Sequence, residues 1–228
     1  MRKVRVAKAV VLLACIVLTR AFVACAQERK VDLNALVQET QKRSDAVGEM
    51  TFVWWIPEEY WRGSFAQNPS VTPEQTENVL AVFRPYTLVA VVDGKMGSFG
   101  GVTYKTEVEI RSIIQLKDKA GTLYQPLADE LVTVDTKSFL AAMKPVLSSV
   151  LGPMGANMYF YLFAAKDKDG APVADARKDG SFSVMLGQRE FRWNLPLASL
   201  IPAKVCPTCK RQLSGAYKYC PYDGTKLE

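Results

Sequence analysis

The sequence contains no histidine among its 228 residues. This absence excludes a Ser-His-Asp triad, a Cys-His dyad and every catalytic metal site that depends on imidazole ligands. An enzyme built from this chain would have to use carboxylates, lysine, tyrosine, cysteine or a bound cofactor. The composition therefore favours a non-enzymatic protein but leaves those other routes open.

Acidic residues are absent from the first 26 residues, where five of the basic residues lie. Without this segment the formal net charge falls from +6 to +1. A nearly neutral protein lacks the excess of positive charge that attracts DNA, RNA or an anionic membrane. We therefore expect no nucleic-acid partner, and we expect membrane contact only through a lipid anchor.

Residues 1–26 have the layout of a secretory signal peptide, with a basic start, an eleven-residue apolar run and small residues at the end. The run is shorter than the roughly 20 residues that a transmembrane helix needs. Ala24-Cys25-Ala26 allows cleavage before Gln27, whereas Val23-Ala24-Cys25 is similar to the end of a lipobox, in which Cys25 would carry the lipid. Both outcomes predict export, either to the periplasm or extracellular space or as a lipid-anchored envelope protein.

Residues 27–202 show the pattern of an α+β domain, in which short apolar strands are joined mostly by turns. Helices are predicted over 33–43, 73–83 and 135–151, the last with Pro145 expected to kink or split it. Strands are predicted over 50–56, 86–92, 108–116, 122–127, 158–164, 181–186 and 190–195. Because strict β-α-β alternation is missing, we expect a mainly antiparallel sheet or a β-sandwich with about three packed helices.

The last segment, residues 203–228, is the one whose spacing implies specific chemistry. Cys206-Pro207-Thr208-Cys209 is followed ten residues later by Cys220-Pro221-Tyr222-Asp223-Gly224. Two such corners can place three thiolates and one carboxylate around one ion, which is the ligand number of a structural zinc site. We therefore predict a small zinc-ribbon-like module with zinc bound by Cys206, Cys209, Cys220 and Asp223.

Two other interpretations of the cysteine tail stay open. Exported compartments are oxidising, so Cys206 could form a disulfide with Cys209 or Cys220. The Cys-Pro-Thr-Cys sequence also has the form of a redox motif, although no strand-to-helix junction is predicted there to lower a thiol pKa. The ligand spacing and the second Cys-Pro corner favour zinc.

The tail resembles a short bacterial zinc ribbon of the type Cys-Pro-x-Cys followed by Cys-Pro-x-Asp-Gly-Thr-x-Leu, and residues 220–227 match its ending. Asp223 departs from the four-cysteine form of such ribbons. With Trp54-Trp55-Ile56-Pro57 and Gly215-Ala216-Tyr217, the chain is also similar to a family of uncharacterised exported bacterial proteins that carry a C-terminal ribbon. The resemblance implies a bound zinc ion, but it does not predict a biochemical activity.

A second candidate site lies where aromatic and acidic residues follow one another. Its members are Trp54, Trp55, Glu58, Glu59, Tyr60 and Trp61. The rings could stack on a sugar beside two carboxylates suited to acid and base chemistry, which gives a carbohydrate-binding or carbohydrate-active domain as the alternative function. The competing interpretation is that the tryptophans belong to the core and that the glutamates begin a short helix.

The leading hypothesis from the sequence is a non-enzymatic exported or envelope-associated protein with a structural zinc site. Its ribbon would be a structural clip or a docking knuckle for an unidentified protein partner or envelope component. The missing histidines and the nearly neutral charge of the chain after residue 26 motivate this choice.

Overall fold

The computed structural model describes residues 31–227, so the predicted signal peptide and the lipidation candidate Cys25 lie outside the described residues. Within the described range, no helix is both long and apolar enough to cross a membrane. The fold is α+β with antiparallel sheets and packed helices, which confirms the predicted fold class.

The central layer is a five-stranded antiparallel sheet. Its strands are β1 (Gln41–Arg43), β2 (Glu49–Trp55), β3 (Tyr86–Met96), β4 (Val102–Tyr104) and β7 (Tyr159–Ala164). The long strand β3 pairs with β2 along one edge and with β4 and β7 along the other, and β1 extends the sheet beyond β2. The strands predicted over 50–56, 86–92 and 158–164 all lie in this sheet.

A second antiparallel sheet has four strands in the order β6, β5, β8, β9. Its strands are β5 (Ile114–Lys117), β6 (Leu123–Tyr124), β8 (Gly180–Leu186) and β9 (Arg189–Leu195). Gly187 has a φ of 61° in the turn between β8 and β9, a conformation that glycine adopts without strain. The hairpin predicted from the sequence around this turn is therefore confirmed.

Six α-helices complete the described part of the chain. They are α1 (Leu33–Thr40), α2 (Glu58–Phe65), α3 (Pro73–Phe83), α4 (Glu107–Arg111), α5 (Val134–Leu151) and α6 (Pro153–Ala156). The predicted capping box of α3 is present, because Thr72 accepts from the backbone of Gln75 while the Gln75 side chain accepts from Thr72. Helix α5 runs through Pro145 without the predicted split.

The strand predicted over 108–116 is wrong in its first half, where the chain forms helix α4. The Thr106 hydroxyl accepts from the backbone of Glu109, and the Glu109 carboxylate accepts from the backbone of Thr106. This second capping box fixes the start of the helix and outweighs the strand preference of Val108 and Ile110.

Alternate side chains of β2 and β3 are buried on opposite faces of the central sheet, and this divides the core into two. One face packs against the second sheet, where Trp55 lies near Phe182 and Trp193. The other face packs under the helices, where Trp54 joins Leu80. Because both faces are covered there, β2 is continuously apolar over 52–55 and β3 over 88–92 instead of alternating.

A partly buried ion pair joins the two sheets. Arg189 Nη2 in β9 donates to Asp93 Oδ2 in β3 at 2.7 Å, and Arg189 Nη1 donates to Asp93 Oδ1 at 3.0 Å and to Thr51 Oγ1 at 2.6 Å. The Asp93 side chain is only 4% exposed. Burial favours the neutral acid, but hydrogen bonds from Arg189, Lys105 and Thr51 outweigh it and lower the pKa of Asp93 to about 2.

Candidate metal centre

The first cysteine corner lies between β10 (Lys204–Val205) and β11 (Gln212–Leu213), which pair as a short antiparallel ribbon. The Cys206 N–H donates to the Arg211 carbonyl at 2.9 Å, and the Lys210 N–H donates to the Cys206 carbonyl at 3.0 Å. The Cys209 N–H points at Cys206 Sγ from 3.5 Å. Lys210 closes the corner with a φ of 60°, so a non-glycine residue adopts the left-handed conformation here.

The second corner repeats this backbone pattern. The Cys220 N–H donates to the Thr225 carbonyl at 2.7 Å, and the Gly224 N–H donates to the Cys220 carbonyl at 2.9 Å. Gly224, with a φ of 72°, takes the position that Lys210 has in the first corner. Asp223 therefore stands in the second corner where a cysteine stands in the first, and the two corners present equivalent ligand positions.

The corners bring four potential ligand atoms together. The sulfurs of Cys206, Cys209 and Cys220 and a carboxylate oxygen of Asp223 all lie within 4.8 Å of one another. Cys209 Sγ is 3.7 Å from Cys220 Sγ, and Cys206 Sγ is 3.4 Å from Asp223 Oδ2. A tetrahedral zinc site has S···S edges of about 3.8 Å and S···O edges of about 3.5 Å, from its bond lengths. The four side chains could therefore hold one metal ion, and their spacing fits zinc.

The site is buried on one side and open on the other. Cys206 and Cys220 are buried, Cys209 is half-buried and Asp223 is exposed. The side chain and the backbone N–H of Thr225 hold the pKa of Asp223 below its usual range. The Asp223 carboxylate is therefore ionised at neutral pH, and it could bind a cation on the solvent-exposed side of the site.

The pKa of Cys209 shows how crowded the acidic groups are. The backbone N–H of Arg211 lowers this pKa. Burial and the neighbouring Asp223, Cys206 and Cys220 together have the larger effect and raise the pKa to about 12. Acids this close together do not all ionise unless a cation balances them. A bound metal ion would supply that charge, and its binding would release thiol protons.

The tail has a very small apolar core of its own. Its buried residues are Cys206, Leu213, Cys220 and Leu227. Gly215 packs tightly against the segment that leads into the tail, since a Cβ at this position would lie 2.2 Å from the Pro202 carbonyl oxygen. In the Gly215-Ala216-Tyr217 sequence, glycine is therefore required at the first position because a side chain would not fit there.

The tryptophans of the second candidate site are core residues. Trp54 and Trp55 are consecutive in β2 and therefore point into the two different cores. Trp61 stacks on Phe83 with ring centroids 5.4 Å apart, and Tyr60 contacts Trp54 edge-on at 4.9 Å. All three tryptophans are at most 8% exposed, so none presents a free ring face on which a sugar could stack.

Glu58 and Glu59 line a cavity of about 340 Å³ together with parts of Trp55 and Trp61. Both carboxylates are bound by arginines. Glu58 contacts Arg62 and Arg84, and Glu59 contacts Arg177. Burial opposes ionisation of Glu58, but hydrogen bonds from Arg84 and Arg62 hold its pKa below the usual value. A general acid needs the opposite shift, so Glu58 is better suited to an ion pair than to acid catalysis.

Comparison of the chain with protein-family models, with curated proteins and with solved structures gives no match. The assignment of a candidate metal centre therefore depends on the geometry of this chain alone. Spacing along the sequence identified the four residues that the structure brings together. Nothing in the sequence indicated that Thr225 Oγ1 would donate to Thr208 Oγ1 at 2.9 Å and link the two corners.

Proposed function

We propose that this is a non-enzymatic exported or envelope-associated binding or structural protein whose C-terminal tail is folded by one structural zinc ion. The observation that carries the proposal is the grouping of Cys206, Cys209, Cys220 and Asp223 within 4.8 Å. Thiolate ligands in tetrahedral geometry favour zinc over the harder cations magnesium and calcium. Four protein ligands leave no open position for a substrate, which is typical of a structural site.

The energetic need for a metal supports this role. Four buried residues give too little apolar burial to order a segment of this length, because ordering costs about 1–2 kcal/mol per residue in backbone entropy. Zinc binding contributes about 10–16 kcal/mol in small zinc-dependent modules. The metal would therefore be the main stabilising contact of the tail.

A binding role is supported by the tyrosines that the tail exposes. Tyr217, Tyr219 and Tyr222 are each about half exposed or more, and Arg211 stacks over the Tyr222 ring at 4.1 Å. Tyrosine and arginine are enriched at protein interfaces, where they often dominate the binding energy. The ribbon would thus present this surface to a protein partner while the metal holds its shape.

The proposal is tested by metal analysis of the purified protein together with thiol titration. We expect about one zinc per chain, and we expect cobalt substitution to give the intense thiolate-to-metal absorption of a multi-cysteine site. Cys209→Ser should lower the zinc content sharply, whereas Tyr222→Phe, in the other corner and not a ligand, should leave it unchanged. A protein without zinc whose thiols are oxidised would contradict the proposal and favour the disulfide.

Export is tested separately by the intact mass of the protein recovered from the cell envelope or medium. A chain that begins at Gln27 supports cleavage of a signal peptide, and a lipid on Cys25 supports the anchored form. A chain that retains its first residues in the cytoplasm would contradict export. The carbohydrate alternative receives less support, because its tryptophans are buried and its glutamates are ion-paired.

A further inference from the structure

A groove of about 490 Å³ lies between helix α5 and strand β7, apart from the metal ligands. Its apolar walls include Leu127, Val132, Leu140, Ala141, Phe160 and Leu162. Arg111, Lys137 and Lys144 line it as cations, and Glu107 and Asp129 as acids. The groove therefore combines an apolar interior with charged groups of both signs.

The positive charge of this groove is only partly balanced. Residues 136–166 contain three lysines and no acid. Arg111 is engaged by Asp129, at 3.7 Å, and by the Leu127 carbonyl, whereas neither Lys137 nor Lys144 forms an ion pair among the described residues. The groove thus offers two lysines to an anionic group.

Lys144 is the more buried of the two lysines, being half-buried where Lys137 is exposed. Its Nζ donates to the Met158 carbonyl and lies 4.1 Å from the centroid of the Tyr159 ring. Burial lowers the pKa of Lys144, and Glu107 opposes that shift without pairing with it. An ammonium group has three donors, so two remain for an anion.

Strand β7 supplies backbone hydrogen-bonding groups to the same groove. One edge of β7 pairs with β3, and on the other edge the Leu162 carbonyl accepts from the Leu127 N–H at 2.7 Å. In an antiparallel strand, residues two apart direct their N–H and C=O groups to the same edge. Phe160 therefore directs both groups into the groove, and no backbone group outside the sheet pairs with them within residues 31–227.

These backbone groups favour a peptide over an alkyl chain as the ligand. An alkyl chain would cover the Phe160 N–H and C=O without pairing them, which is costly, whereas an extended peptide would pair with both. Met158 and Phe160 are about 7 Å apart along the strand, which is the length of two extended residues. Lys144 Nζ lies at the Met158 carbonyl. A peptide whose terminal carboxylate binds Lys144 would therefore place its preceding N–H and C=O groups beside those of Phe160.

We propose that this groove binds the apolar C-terminal end of an extended peptide, which adds to the free edge of β7 while Lys144 binds its terminal carboxylate. The ligand class is a protein partner with an accessible, apolar C-terminus. The inference is independent of the zinc site, so either proposal can fail without the other.

The test measures binding of fluorescein-labelled hexapeptides, each with three apolar C-terminal residues and each made with a free carboxylate and with an amide. Fluorescence anisotropy with the purified full chain should give a Kd about tenfold lower for the carboxylate forms. Lys144→Met keeps the length of the side chain and should abolish that preference. Lys168→Met, in an exposed loop, is the matched control and should leave it intact.

A second variant keeps the test informative if Lys144→Met disturbs the fold. Ala141 is exposed on α5 and lines the groove, so Ala141→Trp should fill the groove and weaken both forms of the peptide while the thermal midpoint stays unchanged. Equal affinity for carboxylate and amide forms would overturn the proposal. So would the absence of binding below about 1 mM across the panel, or displacement of the peptides by dodecanoate at a lower concentration than by unlabelled peptide.

Discussion

The body of the protein (residues 31–202) and its tail (residues 203–227) differ in how much apolar surface they bury. The body buries two apolar clusters on the two faces of one sheet, whereas the tail buries four residues, two of which are cysteines of the candidate metal centre. Burial of apolar surface is the main source of stability in the first case, and it is insufficient in the second. This difference in apolar burial is the reason for proposing that the tail, unlike the body, needs a bound metal ion to fold.

The largest effect that separates the two regions is expected from Trp193→Ala. Trp193 is 1% exposed, stacks on Phe182 at 5.0 Å and donates to the Thr40 carbonyl at 3.2 Å. Its loss should lower the free energy of unfolding of the body by about 3–5 kcal/mol. Urea unfolding checks this, and zinc affinity below the unfolding midpoint should stay unchanged. A matching loss of zinc affinity would show that the two regions are not stabilised separately.

The next effect is a loss of body stability at acidic pH. The pKa of Asp93 is about 2 in the folded state against an ordinary 3.8, so its ion pair with Arg189 stabilises the protein fully above about pH 4. As the pH falls from about 4 to about 2, protonation should remove about 2 kcal/mol of this stability. Unfolding measured across that range should show the slope in the wild type, and Asp93→Asn should flatten it.

The matched control is Asp129→Asn. The Asp129 side chain is 77% exposed, and its contact with Arg111 is long, at 3.7 Å. This variant should retain the acid slope. If Asp129→Asn flattens the slope as much as Asp93→Asn, the ion pair between Asp93 and Arg189 is not its source.

A smaller effect is expected from Asp223, which acts on the tail alone. Asp223→Ala leaves three thiolate ligands and should weaken zinc affinity by at least about tenfold, measured by competition with a chelator. Asp223→Cys restores a four-cysteine shell and should bind zinc at least as tightly as the wild type. Unchanged affinity in Asp223→Ala would contradict the assignment of the carboxylate as a ligand.

The smallest effect concerns the backbone of the first corner. Lys210 has a φ of 60°, whereas the equivalent position of the second corner is Gly224. Lys210→Gly should relieve this strain and stabilise the zinc-loaded tail by up to about 1 kcal/mol, seen as slower zinc release to a chelator. Gly224→Lys should introduce the same strain and speed zinc release. Faster zinc release from Lys210→Gly would contradict the claim that Lys210 is strained.

Local signals made much of this fold predictable. The capping box at Thr72 marked α3, and the turn at Gly187 marked the β8–β9 hairpin. The spacing of the two Cys-Pro corners marked all four residues of the candidate metal centre. Each signal depends on residues close together in the sequence, where backbone geometry restricts the possible structures.

The features that escaped prediction depend on contacts between distant residues or on competing local signals. Asp93 and Arg189 are 96 positions apart, and neither residue carries a local sign of the pairing. Helix α4 had a usable signal in Thr106 and Glu109, but Val108 and Ile110 suggested a strand. The groove between α5 and β7 is formed by residues from separate segments, so no single stretch of sequence could predict it.

Hydrogen exchange with and without a zinc chelator tests the comparison most directly. We predict that chelation removes protection from the Cys206 and Cys220 amides and from the rest of the tail, while β2 and β3 keep theirs. This result would show that zinc orders the tail and that the body folds without it. Full protection of the tail in metal-free, reduced protein would contradict the account.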